Sequence, residues 1–118
     1  MKRVYVAGAY ASDNILGMLG NMRNGMRTAT EVLLCGFAPF VPWFDYHFQL
    51  MLREENHEKL ELKDYYEYSL AWLEVSNMLL VVSGWENSVG TQGEIKRATE
   101  LNIPIYYSLE ELMKNEGK

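Results

Sequence analysis

An uninterrupted apolar run at residues 78–82 is the feature that most constrains the fold of this chain. A strand that is apolar at every position is covered on both faces, which is typical of the centre of a parallel sheet. Three other short segments, at 4–7, 37–42 and 103–107, are rich in β-branched and aromatic residues. We therefore predict four strands, with residues 78–82 near the middle of the sheet.

Helical periodicity fills the segments between these strands. Apolar residues recur at steps of three and four over residues 15–33 and 62–76, and a shorter helix is predicted at 91–101. Ser108 and Glu111 have the spacing of a capping box, which predicts a last helix. Residues 43–60 have no clear period, and a broken helix or a lid is the interpretation of that segment.

The alternation of strands and helices predicts the class α/β. We expect a single domain over residues 1–118, with a four- to five-stranded, mostly parallel sheet between two helical layers. This three-layer α/β/α arrangement is that of flavodoxin-like and Rossmann-like folds. In such sheets, ligands bind beyond the carboxyl ends of the strands. The loops at 8–12 and 83–90 follow strands and are the predicted binding loops.

The charge balance limits the partners that this chain can bind. It has 11 Lys and Arg against 16 Asp and Glu, a net charge of -5. Nucleic-acid polymers are bound through clustered Lys and Arg, so we expect no such partner. No apolar stretch approaches the roughly 18 residues of a membrane span, so no membrane partner is expected either.

Cysteine and histidine usage predicts neither a disulfide nor a metal site. Cys35 is the only cysteine, so no internal disulfide can form, and a reducing, cytoplasmic location is expected. The apolar run around Cys35 predicts that it packs in the core. His47 and His57 are not at metal-ligand spacing with any Cys or Glu motif, so we expect no metal and no cofactor.

The segment GWENSVGTQGE at residues 84–94 has the strongest chemical signal in the chain. It leaves the apolar strand and enters a helix, whose free N–H groups and positive dipole end suit a phosphate. Glu94 has two interpretations here. With Thr91 it fits a capping box and only closes the helix start. Alternatively, Glu94 is a nucleophile aimed at a sugar carbon above the helix terminus.

Three segments together favour the second interpretation: YVAG at 5–8, GWENSVGTQGE at 84–94 and NIPI at 102–105. In this order they resemble the nucleoside 2-deoxyribosyltransferase superfamily. That superfamily includes a 2′-deoxynucleoside 5′-monophosphate N-glycosidase branch and uncharacterised bacterial and phage branches. The resemblance implies that the chain cleaves or exchanges the N-glycosidic bond of a nucleoside or nucleotide. It also implies a homodimer or a larger homo-oligomer.

The resemblance also implies roles for individual residues. Glu94 is implied to attack the anomeric carbon and release the base, because a carboxylate stabilises or captures oxocarbenium character. Tyr5 matches a tyrosine on the first strand that contacts the reacting centre. Ser88 and Gly90 match positions that line the sugar or the phosphate.

The chain departs from this superfamily at one catalytic position. Active members usually carry an Asp on the helix before the third strand and a second Asp about eight residues later; here those positions are Ser69 and Asn77. A hydroxyl cannot act as an acid near neutral pH. Asp64 and Asp45 are the nearby carboxylates that we consider in its place. The alternative function is a non-catalytic nucleotide-binding or sensing module on the same fold, or a scaffold without a ligand.

The remaining candidate residues lie in the two predicted binding loops and beside them. Gly8 follows the first strand and allows close approach of a ligand. Tyr10 stacks on a base or packs on the surface. Trp85 covers the ligand or packs on the domain. Asp45 and Ser69 are included among the predicted substrate-binding residues.

Overall fold

The computed structural model describes residues 1–117 and has one four-stranded sheet. Its strands are β1 (Arg3–Ala7), β2 (Ala38–Phe40), β3 (Met78–Val81) and β4 (Ile105–Tyr106). The order across the sheet is β2-β1-β3-β4, and every pair is parallel. The predicted α/β class and parallel sheet are therefore confirmed. Lys118, the last residue of the predicted domain, lies outside the described residues.

Five α-helices cover the two faces of the sheet. They are α1 (Ile15–Leu34), α2 (Asp45–Glu54), α3 (Leu62–Leu73), α4 (Val89–Glu100) and α5 (Leu109–Glu116). Ser108 caps α5 by accepting a hydrogen bond from the N–H of Glu111 at 3.0 Å, as its spacing predicts. None of the helices within residues 1–117 combines the length and the apolar character that a membrane crossing needs.

Side chains of β1 alternate between two hydrophobic cores, because successive residues of a strand point to opposite faces. Val4 and Val6 pack in a core with α1 and α5. Tyr5 and Ala7 pack in the other core, which α3 and α4 cover. All four side chains have no exposed surface. Tyr5 is thereby placed on the face of the sheet that carries α4.

Helix α1 covers the segment in which helical periodicity was predicted, and it leaves Cys35 outside the core. Asn14 caps its start and accepts a hydrogen bond from the N–H of Gly17 at 2.8 Å. The helix ends at Leu34, and the chain turns at Gly36, which has φ +93°. The prediction that Cys35 packs in the core is wrong: the chain has already begun this turn there, and Cys35 is exposed.

The segment without a clear period forms a short 3₁₀ helix, Pro42–Phe44, followed directly by α2. The Trp43 side chain is 2% exposed and lies against Gly25 of α1. A Cβ atom added to Gly25 would be 2.2 Å from the Trp43 ring, so only glycine fits there. This contact fixes the start of α2, where Asp45 is buried.

We expect Gly25→Ala to destabilise the protein by about 1–3 kcal/mol, because the new methyl group overlaps the Trp43 ring in a packed core. Gly20→Ala is the matched control in the same helix. A Cβ atom at residue 20 meets nothing within 4 Å, so this change should stabilise α1 by about 0.5–1 kcal/mol. Urea denaturation measures both values. Equal effects of the two substitutions would contradict the proposed contact.

Candidate active site

Helix α4 begins at Val89, earlier than its sequence predicts. Ser88 caps it, accepting hydrogen bonds from the Thr91 N–H at 3.3 Å and from the Thr91 hydroxyl at 3.0 Å. Glu94 therefore lies in the second turn of the helix. The capping-box interpretation of Thr91 and Glu94 is wrong, because Ser88 already performs that function.

The Glu94 carboxylate is held by β1 instead of by its own helix. The Tyr5 hydroxyl donates a hydrogen bond to Oε2 of Glu94. Tyr5 has no exposed surface, and Glu94 is 8% exposed. We call these two residues the Tyr5–Glu94 pair. The pair joins the central strand to α4 on the face of the sheet that α3 and α4 cover.

The pair has unusual ionisation properties because it is buried. Burial raises the pKa of Glu94 to about 7; the hydrogen bond from Tyr5 opposes this rise, and the charge of Asp45 adds to it. Burial and the neighbouring Glu94 charge raise the pKa of Tyr5 well above its ordinary value. Tyr5 therefore remains a hydrogen-bond donor, while Glu94 changes charge near neutral pH. Buried groups of this kind are concentrated at functional sites.

Ser69 and Asp45 lie close to the Tyr5–Glu94 pair. Ser69 of α3 is 7% exposed, and its hydroxyl is near enough to Tyr5 to lower the pKa of that phenol. Asp45 at the start of α2 is 6% exposed. Burial raises the pKa of Asp45, and the nearby Tyr10 hydroxyl and Gln49 amide offset part of that rise. The structure thus brings Tyr5, Ser69, Asp45 and Glu94 together.

Two polar atoms beside the pair are buried without a hydrogen-bond partner in the protein. They are Oδ1 of Asp45 and the hydroxyl of Tyr10. The two side chains are near each other, and burial with the Asp45 contact raises the pKa of Tyr10 above its ordinary value. Their geometry nevertheless falls short of a hydrogen bond. Gln49, one turn along α2 from Asp45, is also near both and was not among the predicted residues.

Asp64 and Asn77 have structural roles away from the pair. Oδ2 of Asp64 accepts a hydrogen bond from the Glu61 N–H at 2.8 Å, which closes a capping box at the start of α3. Oδ1 of Asn77 accepts from the Arg3 N–H at 2.7 Å, at the amino ends of β1 and β3. Of the two positions where the chain departs from the superfamily pattern, only Ser69 faces the pair. We therefore leave Asp64 out of the candidate site.

Trp85, Ser88 and Gly90 are engaged in local packing. The Trp85 ring lies 5.8 Å from that of Tyr107, centre to centre, and packs on the core under α4. Ser88 caps α4, and a Cβ atom at Gly90 would meet the ring of Tyr66 at 3.4 Å. The predicted contacts of Ser88 and Gly90 with a sugar or phosphate stay predictions, as does a covering role of Trp85 over a ligand.

A cavity of about 170 Å³ lies beyond the carboxyl ends of β1 and β3. Its lining includes polar side chains of α1 that were not predicted from the sequence. Isolated polar residues on a helix normally face solvent, so they give no signal of a binding site. The lining includes Gly8, Ala9, Asn21, Asn24, Trp43 and Ser83. Tyr5 and Glu94 do not line this cavity. Gly8 thus lies where a binding residue was predicted, but on the α1 side of the strand ends.

Within residues 1–117, no three side chains among His, Cys, Asp and Glu are grouped closely enough to hold a metal ion. The ionisable groups near Glu94 that affect its charge are Tyr5 and Asp45. The chemistry that this site offers is therefore that of two buried carboxyl groups and a phenol.

The fold is that of 2-deoxyribosyltransferase-like α/β proteins. The structure superposes on a 2-deoxyribosyltransferase from the psychrotolerant bacterium Bacillus psychrosaccharolyticus with a TM-score of 0.58, over 87% of this chain and 69% of that one. The two sequences are 13% identical, so this similarity shows the fold alone. Residues 2–108 match the domain of unknown function DUF7768, and the chain belongs to that family. No curated protein matches it in sequence.

Proposed function

We propose that this protein cleaves or exchanges the N-glycosidic bond of a deoxynucleoside or its 5′-monophosphate, with Glu94 as the nucleophile. The observation that carries the proposal is the buried Tyr5–Glu94 pair. Breaking such a bond develops positive charge on the sugar, which a nearby carboxylate stabilises or captures. The fold shared with a 2-deoxyribosyltransferase supports nucleoside glycosyl transfer as the class of reaction.

Each residue of the pair has a distinct role in this reaction. An oxygen of ionised Glu94 bonds to the anomeric carbon as the carbon–nitrogen bond breaks, and the bond electrons leave with the base. The Tyr5 hydroxyl donates to Oε2 and fixes the orientation of the carboxylate. Attack by water on the glycosyl ester completes hydrolysis, whereas attack by a second nucleobase completes transfer. Glu94 is regenerated in either case.

Three finer points of this function remain predictions. Membership of the 5′-monophosphate branch requires a phosphate site, for which the start of α4 near Ser88 is the candidate. A homodimer or larger oligomer fits the exposed aromatic rings of Phe48 and Trp72, which are 47% and 46% exposed. A cytoplasmic location rests on the lone cysteine.

A second candidate function is nucleotide binding without catalysis. Two observations favour it: Ser69 stands where a carboxylate is expected, and the cavity beside Gly8 does not reach Glu94. In this function the pocket recognises a nucleotide, and the Tyr5–Glu94 pair only joins β1 to α4.

Release of free base distinguishes the two functions. The purified full chain is incubated with a panel of deoxynucleosides and their 5′-monophosphates, with and without a second base, and the products are separated by chromatography. Released or exchanged base is the expected result. A rise in melting temperature with a nucleotide and no base release would instead support binding alone, because a ligand that prefers the native state stabilises it.

A further inference from the structure

Asp45 is a buried carboxyl group that the fold does not use. Its Oδ1 atom is fully buried and has no hydrogen-bond partner, and the same is true of the adjacent Tyr10 hydroxyl. Leaving a buried polar atom unpaired costs free energy, so such an atom in a native structure requires an explanation. Asp45 is only 6% exposed, and none of the groups around it donates a hydrogen bond to Oδ1.

The position of Asp45 relates it directly to Glu94. Its charge acts on Tyr5 of β1, on Tyr10 of the following loop, on Tyr65 of α3 and on Glu94 of α4. The groups on which the Asp45 charge acts thus come from four different parts of the chain and include the nucleophile proposed above. No Lys, Arg or His is among them.

We propose that Asp45 is the general acid that protonates the departing base. Helix α2 then supplies the acidic group that α3 lacks. This inference rests on the proposed function of Glu94. Departure of a nucleobase needs a proton donor close to its nitrogen, and the Ser69 hydroxyl, the polar group that α3 presents to Tyr5, is too weak an acid. Asp45 is the carboxyl group other than Glu94 that acts on the pair.

When the two carboxyl groups hold one proton between them, the reactive form has the proton on Asp45 and the charge on Glu94. Tyr5 donates to Glu94, which favours the negative charge on Glu94. Oδ1 of Asp45 receives no donor, although the nearby Tyr10 and Gln49 offset part of the rise in the pKa of Asp45. Burial raises the pKa of each carboxyl group, and the Asp45 charge further raises that of Glu94, which disfavours the doubly ionised state.

The first step then balances in atoms and charge. The bond between the anomeric carbon and the base nitrogen breaks, and its electron pair stays on the base. Asp45 gives its proton to the base, and Glu94 forms an ester with the anomeric carbon. In the hydrolytic second step, ionised Asp45 takes a proton from water, the water oxygen bonds to the anomeric carbon, and Glu94 leaves as a carboxylate.

Substrates that differ in their need for a proton test this role. The two substrates are 2′-deoxyguanosine and its 7-methyl derivative, whose positively charged base leaves without protonation. If the protein accepts only pyrimidines, the two substrates are 2′-deoxyuridine and its 5-nitro derivative, whose base is a far better leaving group. For Asp45→Asn we expect kcat/KM, which reports the step in which the base departs, to fall about 100-fold or more on the ordinary substrate and less than about threefold on the activated one.

The ratio of the two kcat/KM values is measured in one protein sample, so any loss of folded protein cancels. Asp13→Asn, at an exposed residue of the loop before α1, is the matched control and should change neither rate. Equal losses on both substrates in Asp45→Asn would overturn the assignment of Asp45 and leave Glu94 as the nucleophile. Absence of turnover by the wild-type protein on every substrate would instead overturn the proposed function, and this inference with it.

Discussion

Glu94→Gln should lower kcat for base release by on the order of 10⁴-fold or more, the scale of loss when a nucleophile is removed. Glutamine keeps the shape of the side chain and still accepts the hydrogen bond from Tyr5. It cannot form the glycosyl ester, because an amide is a poor nucleophile and carries no charge to stabilise the sugar cation. Steady-state kinetics with the substrate that the wild-type protein prefers gives the loss directly.

The control for this substitution is Glu110→Gln, which makes the same chemical change at an exposed residue of α5 on the opposite face of the sheet. Its kcat should equal that of the wild-type protein. Denaturing the wild-type protein during turnover and measuring its mass should also reveal a glycosyl adduct that Glu94→Gln lacks. An active Glu94→Gln protein, or an adduct on another residue, would show that the nucleophile has been assigned to the wrong side chain.

The second large effect concerns stability: Glu94→Gln should have a higher free energy of unfolding than the wild-type protein at neutral and alkaline pH. The pKa of Glu94 is raised by burial from 4.5 to about 7. Between these pH values the unfolded chain has lost the proton and the folded chain retains it, so the free energy of unfolding falls as pH rises and levels off above about 7. Over about 2.5 pH units, at about 1.4 kcal/mol per unit, the loss is at most about 3–4 kcal/mol. Glutamine has no proton to lose and escapes this penalty.

Urea denaturation of both proteins across a pH series measures this difference. At about pH 8, Glu94→Gln should be more stable than the wild-type protein by about 2–3 kcal/mol, and near pH 4 the two should agree. Asp45 titrates in both proteins and is coupled to Glu94, so the difference reports the ionisation of Glu94 together with its effect on Asp45. Parallel stability curves for the two proteins would mean that Glu94 ionises normally in the folded state.

Strand positions and cores follow from local patterns, which is why the sequence predicts them. Residues 78–82 have no polar side chain, and the alternation along β1 directs Val4 and Val6 away from Tyr5. The partner of Glu94 does not follow from local spacing. Its spacing from Thr91 fits a cap equally well, and only the structure excludes the cap, because Ser88 caps the helix and Glu94 contacts Tyr5, 89 residues away.

Asp45 illustrates a stronger limit of sequence reasoning. Residues 43–60 show neither a strand nor a helix period, so nothing in that segment predicts which side chains are buried. The burial of Asp45 depends on where α2 begins, and the packing of Trp43 against α1 determines that position. Gln49, Asn21 and Asn24 were missed for a related reason, since a polar residue in a helix normally faces water.

The close approach of Trp43 to Gly25 ties the chemistry to a helix that takes no part in it. A chain that acquired a side chain at residue 25 would keep Tyr5 and Glu94 unchanged, because both lie across the sheet from α1. The Asp45 carboxyl group would move, because Asp45 lies two residues after Trp43, whose ring would be displaced. The position of this carboxyl group therefore depends on the absence of a side chain at residue 25, in a helix on the other side of the sheet.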